Sequence, residues 1–414
     1  MPLAFIFDDC RGVLSPLSDL RPACAIRTGA FSSIDRLQRS LNLSIIGVQV
    51  HPDLLPLARE SISLPVNHVP DLAPAEPVLF INSRCPIAPP QTASLHSGEC
   101  LTEAASGDMV AALGRAEDIR LLLAGGTPAW LQRASTPAPA LLSRPWHVKT
   151  FRDRCLAIDL EFFRDSPTQS DLPGVHVITG PSRSTIPSAT RPRPVILPTA
   201  TVYPTATFDV EHGPVVIDEH ATIRPHALII GPAYIGPHST VLDKAIIKPG
   251  TAIGPHCKVA GEIGGTIFQG FANKAHDGHL GDSFIGEWAN LGAGTTNSNL
   301  LNTYGEVVAR ATPGGSNERT GEQFLGCIVG DHVKFAIGSR IMTGAVIHTG
   351  TMWAAGAAAT GCVSPFSWVT DAGSKSFRFD KFMEIARTAM ARRKVTPTTS
   401  YEKRLRSLAA APPR

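Results

Sequence analysis

The sequence has little net charge, no closely paired cysteines and no long apolar run. Its 38 lysines and arginines nearly balance 35 aspartates and glutamates, and the formal net charge of +3 is too small to indicate nucleic acid as the main ligand. No Cys-x-x-Cys pair occurs, and no Cys/His spacing is typical of a zinc knuckle. No apolar run reaches membrane-spanning length, and residues 1–9 lack the basic start of a signal peptide. We therefore expect a cytoplasmic protein with reduced thiols, and neither a nucleic-acid nor a membrane partner.

The apolar residues suffice for two domains. With 414 residues, 43% of them hydrophobic and 18% charged, the chain has the composition of a globular protein. In residues 1–165, short apolar runs alternate with segments of helical spacing, which predicts an α/β domain with a mostly parallel, Rossmann-like sheet. The predicted strands are Leu3–Phe7, Ser44–Val50 and Val78–Asn82, and the predicted helices are Leu101–Leu113 and Ala116–Leu123.

A six-residue repeat follows a segment rich in proline, serine and threonine at residues 166–194, which we interpret as a linker. Every sixth residue from 217 to 259 is aliphatic and β-branched, and the residue four places after each of the first seven is small. A helix has a period of 3.6 and a plain strand a period of 2, so a strict period of six fits neither. It fits a triangular prism in which each hexad forms one short strand and one corner. The pattern predicts a parallel β-helix over residues 195–365, followed by a C-terminal helix over residues 374–410.

The repeat weakens between residues 262 and 328, where polar residues and glycines accumulate. Loops on a rigid scaffold often carry function, and His276 lies in this segment. A neutral imidazole can accept a proton from an amine or hydroxyl that attacks a thioester; the alternative is a histidine in a surface loop. Small residues leave backbone amides accessible to a thioester oxygen, and asparagines can bind sugar hydroxyls or the acyl carbonyl. The candidate amides for the thioester oxygen are those of Gly292, Ala293 and Gly294. The candidate asparagines for the sugar hydroxyls or the acyl carbonyl are Asn290 and Asn299.

The segment from Asn273 to Asn299 resembles part of a known enzyme family. It is similar to the acetyltransferase half of the bifunctional UDP-N-acetylglucosamine pyrophosphorylase/glucosamine-1-phosphate acetyltransferase family, and this resemblance covers residues 195–365. A subgroup of sugar nucleotidyltransferases that shares a Phe-Asp-Asp start resembles the chain nearly end to end. The matching residues are His276, Leu280-Gly281-Asp282, Ile285-Gly286, Asn290 through Thr295 and Asn299, with the run Asn273 through Gly278 for the subgroup.

The resemblance implies a fold, a reaction and an assembly. The prism is expected to be left-handed, and the protein is expected to form a homotrimer with the acyl site between subunits. Acetyl-CoA is the implied donor, a sugar phosphate or nucleotide sugar is the implied acceptor, and His276 is the implied general base. By the same resemblance, Ala355 and Gly356 belong to the wall beside the pantetheine arm of CoA.

Three departures put the acceptor of that family in doubt. Gly264 and Leu300 stand where the family has a lysine and a tyrosine, and the segment from Lys258 to Glu262 is too short for the family's arginine-bearing loop. Lys258 or Lys274 is therefore a candidate to bind the sugar phosphate instead. The γ-type carbonic anhydrases also use this prism and bind zinc through histidines, although their motif has a different spacing. The candidate ligands for that minor alternative are His256, His276 and His279.

The start of the chain resembles a reduced form of the sugar-phosphate nucleotidyltransferase signature, which implies nucleotidyl transfer with Mg²⁺. The glycine loop of that signature is reduced to Gly12, and Ala23 stands in place of its lysine. Arg84 follows the strand that would carry a metal-binding carboxylate, which argues against the usual magnesium site. Asp8 and Asp9, which follow the first strand, either bind Mg²⁺ or cap the turn. Arg11, Arg21 and Arg27 either bind phosphate or form a solvated surface.

The sequence thus favours one function and leaves two alternatives open. The favoured function is an acetyl-CoA-dependent acyltransferase that acts on a sugar phosphate or nucleotide sugar, with an N-terminal nucleotidyltransferase-like domain of altered activity. One alternative is a sugar-1-phosphate nucleotidyltransferase whose N-terminal domain is active. The other is a non-catalytic trimeric scaffold that binds a nucleotide sugar.

Overall fold

The chain divides into two compact units. The computed structural model describes residues 1–180 and 193–411, so part of the predicted linker at 166–194 lies outside the described residues. The first unit comprises Met1–Ile26, Phe31–Arg144 and Thr398–Leu405. The second comprises Arg27–Ala30, Pro145–Pro397 and the residues from Arg406. The residues from Pro145 to Asp165, which the sequence analysis assigned to the first domain, therefore lie in the second unit.

The first unit contains a six-stranded mixed sheet with the strand order β2-β1-β3-β5-β4-β6. Strand β1 pairs in parallel with β2 and β3, whereas β5 runs antiparallel to β3 and β4. This arrangement confirms the predicted α/β layer, with a less parallel sheet than expected. The strands are β1 Leu3–Phe7, β2 Ser44–Val48, β3 Pro77–Asn82, β4 Glu99–Glu103, β5 Met109–Arg115 and β6 Leu131–Thr136, and the helices are α1 Ser33–Ser40, α2 Leu55–Ser61 and α3 Ala116–Leu123. Short 3₁₀ turns lie at Ala23–Ala25, Pro52–Leu54 and Pro90–Ser94.

The helix predicted over Leu101–Leu113 is wrong, because this segment forms β4, a turn and β5. Gly107 lies in the turn with φ +72°, a conformation that glycine adopts without strain and that ends any helix. Across the turn Leu101 pairs with Ala111, and both side chains are buried in the core. The apolar residues of β4 and β5 together have a spacing that resembles a helix, although each strand alone has its own pattern.

The second unit begins with helix α4, His147–Glu161, and continues as a prism of short strands. Its three faces are parallel sheets, apart from the antiparallel terminal pair β34–β35. The first face is β7-β10-β13-β16-β19-β22, the second is β8-β11-β14-β17-β20-β23-β28-β31-β33, and the third is β9-β12-β15-β18-β21-β24-β29-β32-β34-β35. The strands are β7 His176–Ile178, β8 Val195–Ile196, β9 Thr201–Val202, β10 Thr207–Asp209, β11 Val215–Ile217, β12 Thr222–Ile223, β13 Leu228–Ile230, β14 Ala233–Ile235, β15 Thr240–Val241, β16 Ile246–Ile247, β17 Thr251–Ile253, β18 Lys258–Val259, β19 Glu262–Gly264, β20 Ile267–Phe268, β21 Asn273–Lys274, β22 His279–Gly281, β23 Phe284–Ile285, β24 Asn290–Leu291, β25 Thr296–Asn297, β26 Val308–Ala309, β27 Glu318–Arg319, β28 Cys327–Val329, β29 Lys334–Phe335, β30 Arg340–Ile341, β31 Ala345–Ile347, β32 Met352–Trp353, β33 Cys362–Val363, β34 Ser367–Thr370 and β35 Gly373–Ser376.

The hexad residues form the core of this prism, which is the predicted left-handed parallel β-helix. All eight aliphatic positions from Ile217 to Val259 are fully buried, and their small partners are buried beside them. Ile217 pairs with Ile235, and Ile235 with Ile253, so three hexads make one coil. Full burial of one such side chain contributes about 1.5–3 kcal/mol, which cannot order a hexad alone, so stability comes from stacked coils.

One coil in the prism is shorter than its neighbours. Val241 pairs with Val259 eighteen residues later, whereas Val259 pairs with Lys274 only fifteen residues later. The prism therefore continues through the segment where the period weakens, and the shortened coil places Lys274 where its neighbours place an apolar side chain. A second irregularity follows β25, where an inserted segment with the antiparallel pair β26–β27 precedes the return of the second face at β28.

Two helices replace the single C-terminal helix predicted over residues 374–410. The pair β34–β35 extends to Ser376, helix α5 spans Phe379–Ala391 and helix α6 spans Thr399–Ala410. Pro397 lies between the helices, where its fixed ring and missing N–H oppose a continuous helix. Within residues 1–180 and 193–411, no helix combines the length and apolar character needed to cross a membrane.

Candidate functional site

His276 lies at an exposed corner between the third and first faces of the prism. Strand β21 ends at Lys274 and strand β22 begins at His279, so residues 275–278 form the corner. The side chain of His276 is exposed, while the carbonyl oxygens of His276 and Asp277 accept hydrogen bonds from the Lys274 Nζ at 2.8 and 2.9 Å. The imidazole therefore faces solvent from a backbone that is held from inside the prism.

Lys274 is almost completely buried, with 1% of its surface exposed. Its Nζ also donates to the Ala260 carbonyl oxygen at 3.3 Å, so one ammonium group binds three carbonyls of two stacked corners. Burial lowers the pKa of Lys274 to about 8, although the nearby Asp277 carboxylate opposes this shift. The ammonium serves the corner backbone, and its predicted contact with a sugar phosphate stays a prediction that these bonds do not support. Lys258, the other candidate for that contact, lies on β18 of the third face and is half-buried.

Glycines hold the corner between the coils below and above it. Gly278 has φ +106°, and a Cβ at this position would lie 2.2 Å from the Thr295 carbonyl oxygen of the next coil. A Cβ on Gly261, in the preceding coil, would lie 2.7 Å from the Gly278 carbonyl oxygen. Real Cβ atoms do not approach backbone oxygens so closely, so the His276 corner has little freedom to move along the prism axis.

We expect Gly278→Ala to lower the free energy of unfolding by about 1–3 kcal/mol, through its positive φ and the clash with Thr295. Because the clash displaces the His276 corner, any acyl transfer that depends on His276 should fall as well. Urea denaturation and initial rates measure the two effects. Gly314→Ala is the matched control, since Gly314 also has a positive φ but faces open space. Equal losses in the two variants would contradict the role of the close packing.

The other predicted acyl-site residues lie on the third face or beside it. The Asn290 Oδ1 accepts a hydrogen bond from the Asn273 Nδ2 at 2.8 Å, so these two asparagines pair across adjacent strands. The Gly292 N–H donates to the Phe335 carbonyl oxygen within the ladder, and the Ala293 carbonyl accepts from Gly338. The Gly292 amide is thus already engaged, which leaves its predicted role at a thioester oxygen without support from this structure.

A cluster of polar side chains on the first face lies next to the corner, and we call it the first-face cluster. The His279 Nδ1 lies 3.4 Å from the Glu262 Oε1, and Lys248 forms an ion pair with the same carboxylate. The Asn299 Nδ2 donates to the Asp282 Oδ2 at 2.8 Å, and Arg152 of α4 binds the Asp282 Oδ1 at 2.7 Å. The members are Lys248, Glu262, His279, Asp282, Asn299 and Arg152.

Gly281 lies at the centre of the first-face cluster, where there is no room for a side chain. A Cβ on Gly281 would lie 2.7 Å from both the His279 Nε2 and the Asn299 Nδ2, so these two nitrogens converge above a residue without a side chain. The Lys248 ammonium, together with the lesser effect of His279, holds the pKa of Glu262 below its usual value, and Glu262 is placed to orient the His279 ring. Sequence reasoning missed Glu262 and Arg152, because Glu262 meets His279 only through the pairing of β19 with β22.

The predicted CoA wall lies in a late coil. The Gly356 N–H donates to the Asp371 Oδ1 at 2.7 Å, its carbonyl accepts from Arg340, and Ala355 packs against the prism core. A separate pocket of about 380 Å³ lies between the inserted segment and the prism, and it includes none of the predicted site residues. Its lining includes Ala309, Arg310, Asn317, Thr343 and Cys362.

The three histidines of the zinc alternative do not form one group. His256 lies between β17 and β18, at a different corner from His276, and its ring stacks between those of His238 and Phe271 at 4.8 and 4.6 Å. In the part of the chain that the structure describes, no three His, Cys, Asp or Glu side chains are placed to hold a metal ion. The geometry therefore gives the zinc alternative no support.

In the first unit, Arg84 lies between the carboxylates of Asp9 and Asp108. Its Nη2 donates to the Asp9 Oδ2 and to the Asp108 Oδ2, each at 2.6 Å, and its Nε donates to the Asp9 Oδ1 at 2.9 Å. Burial alone would lower the pKa of Arg84, but these hydrogen bonds raise it. Burial likewise opposes ionisation of Asp108, yet the guanidinium groups of Arg11 and Arg84 hold its pKa below the usual value.

These residues do not fit the magnesium ion implied by the resemblance. The Asp9 carboxylate binds Arg84 and also accepts from the Asn82 Nδ2 at 2.8 Å. Asp8 and Asp9 each accept a backbone N–H two residues later, as the capping interpretation expected, and burial raises the pKa of Asp8. A guanidinium therefore stands between the carboxylates that a cation would need.

The three predicted phosphate-binding arginines lie in different settings. Arg11 is 64% exposed and binds the Asp108 Oδ1 at 2.6 Å. Arg21 is buried and donates to the Leu17 carbonyl oxygen. Arg27 belongs to the second unit, where its backbone N–H donates to the Gln269 Oε1. Of the three, Arg11 has the exposure that a phosphate contact requires.

Comparison with known proteins supports the interpretation of the first unit. Residues 4–167 match the family model described as sugar nucleotidyl transferase. This match confirms the predicted likeness to sugar nucleotidyl transferases for this part of the chain and supports the predicted enzyme class, a transferase. A search of curated proteins returns no match.

Solved structures of low similarity align with the chain. A hexapeptide transferase family protein from Anaplasma phagocytophilum is 14% identical over 52% of this chain and 92% of that chain, with a TM-score of 0.22. The polysialic acid O-acetyltransferase OatWY is 14% identical over 44% and 82%, with a TM-score of 0.21. The UDP-N-acetylglucosamine acyltransferase of Francisella novicida is 14% identical over 49% and 73%, with a TM-score of 0.16. At these scores, the prism assignment rests on the strand register of this chain.

Proposed function

We propose that the second unit transfers an acyl group from acetyl-CoA to a sugar phosphate or nucleotide sugar, with His276 as the general base. The observation that carries the proposal is the corner itself, where a buried lysine and close-packed glycines hold the backbone while the imidazole faces solvent. A surface histidine without a function needs no such support. General bases depend on a fixed position within hydrogen-bond reach of the proton that they accept.

The proposed reaction uses one proton transfer and one acyl transfer. The Nε2 or Nδ1 of neutral His276 accepts the proton of the acceptor amine or hydroxyl while that group attacks the thioester carbonyl carbon. A C–N or C–O bond forms, the C–S bond breaks, and the CoA thiolate leaves and takes up a proton. The first-face cluster offers amide, imidazole and carboxylate groups that can bind the hydroxyls of a sugar acceptor beside this corner.

A homotrimer fits the exposure of His276. An imidazole at an open corner is surrounded by water, which competes as an acceptor and weakens every electrostatic interaction there. A neighbouring prism against this corner would supply the second wall of the site. The trimer is part of the proposal, and sedimentation equilibrium of the full chain tests it.

The direct test of the proposed function is acyl transfer by the full chain. Acetyl-CoA is incubated with hexosamine phosphates, hexose phosphates and UDP- or dTDP-linked sugars, and acylated product and free CoA are followed by mass spectrometry. Mass detection is preferable to a thiol reagent because Cys10 is exposed and would react with it. We expect one acceptor class to give product above the level of a His276→Ala blank. Absence of product with every class would contradict the proposal and favour the non-catalytic scaffold.

A further inference from the structure

The cluster around Arg84 occupies the edge of the sheet where ligands bind in folds of this class. Asp9 follows β1, and Asn82 ends the neighbouring parallel strand β3. Ligands of open α/β sheets bind at the carboxyl ends of such strands. Asp108 precedes β5, which pairs with β3 in the antiparallel direction and so brings this carboxylate to the same edge. The side chain of Arg84 is 1% exposed at the centre of this group.

The distances from the Arg84 guanidinium to the two carboxylates can be compared with those of a magnesium ion. The Asp9 Oδ2 and the Asp108 Oδ2 both lie 2.6 Å from one atom, the Arg84 Nη2. The two oxygens are thus at most about 5.2 Å apart, while opposite oxygen ligands of one magnesium ion are about 4 Å apart, so both carboxylates converge on the space that the guanidinium fills. The remaining guanidinium nitrogens bind the Asp9 Oδ1, the Leu142 carbonyl and the Ser143 hydroxyl, so the group is fixed on all sides.

Charge leads to the same conclusion as distance. Asp9 and Asp108 carry two negative charges, and Arg84 with Arg11 supplies two positive ones. A divalent cation at this place would have to displace a buried guanidinium that has no route to water without the loss of its carboxylate bonds. Magnesium gives up its own water reluctantly and seeks free carboxylates, which this arrangement does not offer.

We infer that Arg84 permanently takes the place of the divalent cation in the first unit, and that this unit meets phosphate groups through arginine and without a metal ion. Arg11 is the exposed member of the pair and binds Asp108 through its Nη1, so it is the group that would contact a phosphate directly. The inference concerns the first unit alone, and its outcome does not depend on the acyltransferase proposal for the second.

The test uses Mn²⁺ alone as the probe, since free and bound Mn²⁺ differ in their electron paramagnetic resonance signal. At submillimolar Mn²⁺, the full wild-type chain should show no Mn²⁺ site that is lost in Asp9→Asn. The Arg84→Gln and Arg84→Ala variants remove the Arg84 guanidinium from both carboxylates, while Arg11 stays on the Asp108 Oδ1, and they should gain a site at least tenfold tighter than any in the wild type. Adding Asp9→Asn to Arg84→Gln should abolish that gain. Arg36→Gln, the replacement of another buried arginine whose partners include backbone carbonyls, should gain nothing.

Each outcome decides the question. A wild-type Mn²⁺ site that disappears in Asp9→Asn would overturn the inference, and so would a folded Arg84→Gln variant that gains no site. If circular dichroism shows that neither Arg84 variant folds, the wild-type titration alone decides. The inference is then supported if the wild type binds no Mn²⁺, or binds Mn²⁺ at a site that Asp9→Asn does not affect. The inference is refuted if Asp9→Asn removes a Mn²⁺ site of the wild type.

Discussion

Replacement of His276 by alanine is expected to lower kcat/KM of acyl transfer by about 10²- to 10⁴-fold, the usual contribution of a positioned general base. Stability should change little, because the imidazole is exposed while the carbonyls of the corner keep their bonds to Lys274. Initial rates over a range of acceptor concentrations measure the effect. The loss should appear in kcat, since the base acts on the proton that moves in the transition state.

The matched control is His279→Asn, three residues further along the chain. His279 is half-exposed, and its Nδ1 faces the Glu262 carboxylate, an arrangement that also orients a base. We expect this variant to raise KM for the acceptor and to leave most of kcat, because in our proposal the first-face cluster binds the sugar. The reverse pattern, a large loss of kcat in His279→Asn and little in His276→Ala, would assign the base to the His279–Glu262 pair.

The prism could be predicted from the sequence because its period reports directly on side-chain direction. Every sixth position from Ile217 to Val259 carries a buried aliphatic residue, so this repeat marks each strand and the face that the strand buries. The helix predicted over Leu101–Leu113 shows the limit of the same reasoning. Two short strands joined by a tight turn can imitate helical spacing when the turn glycine is overlooked.

The candidate sites depend on contacts that no local pattern encodes. His276 could be singled out because it interrupts a regular repeat, but the partners of its corner could not. Lys274 takes its core position in a coil that is three residues short, and Glu262 meets His279 through the pairing of β19 with β22, seventeen residues apart. Arg84 and Asp9 are 75 residues apart in sequence and meet through the pairing of β1 with β3. The sequence indicates that Arg84 stands where a metal-binding carboxylate would be expected, but its contact with both Asp9 and Asp108 depends on the fold.

Lys274→Met is expected to lower the free energy of unfolding by about 2–4 kcal/mol. Methionine fills the same space, but the carbonyls of Ala260, His276 and Asp277 lose their shared donor, and each buried unpaired carbonyl costs about 1–3 kcal/mol before local relaxation. Acyl transfer should fall too, because the His276 backbone is released. Urea denaturation and kcat measure the two effects.

Lys334→Met is the control. Lys334 is a second lysine whose pKa is lowered by burial, and its Nζ donates to the Trp288 carbonyl. The loss of Lys334 should therefore affect stability more than turnover.

The pH dependence of the Lys274→Met effect tests whether the Lys274 amine is buried in the folded protein. Burial lowers the pKa of Lys274 from 10.5 to about 8, whereas the unfolded chain keeps an ordinary lysine pKa. Between pH 8 and 10.5 the unfolded chain therefore binds more protons at this residue than the folded protein does. Stability from this residue must then rise with pH across that window, and it is lowest and constant below pH 8. We expect the advantage of the wild type over Lys274→Met in urea denaturation to grow from pH 8 to pH 10; a constant or shrinking difference would show that the ammonium is not buried as described.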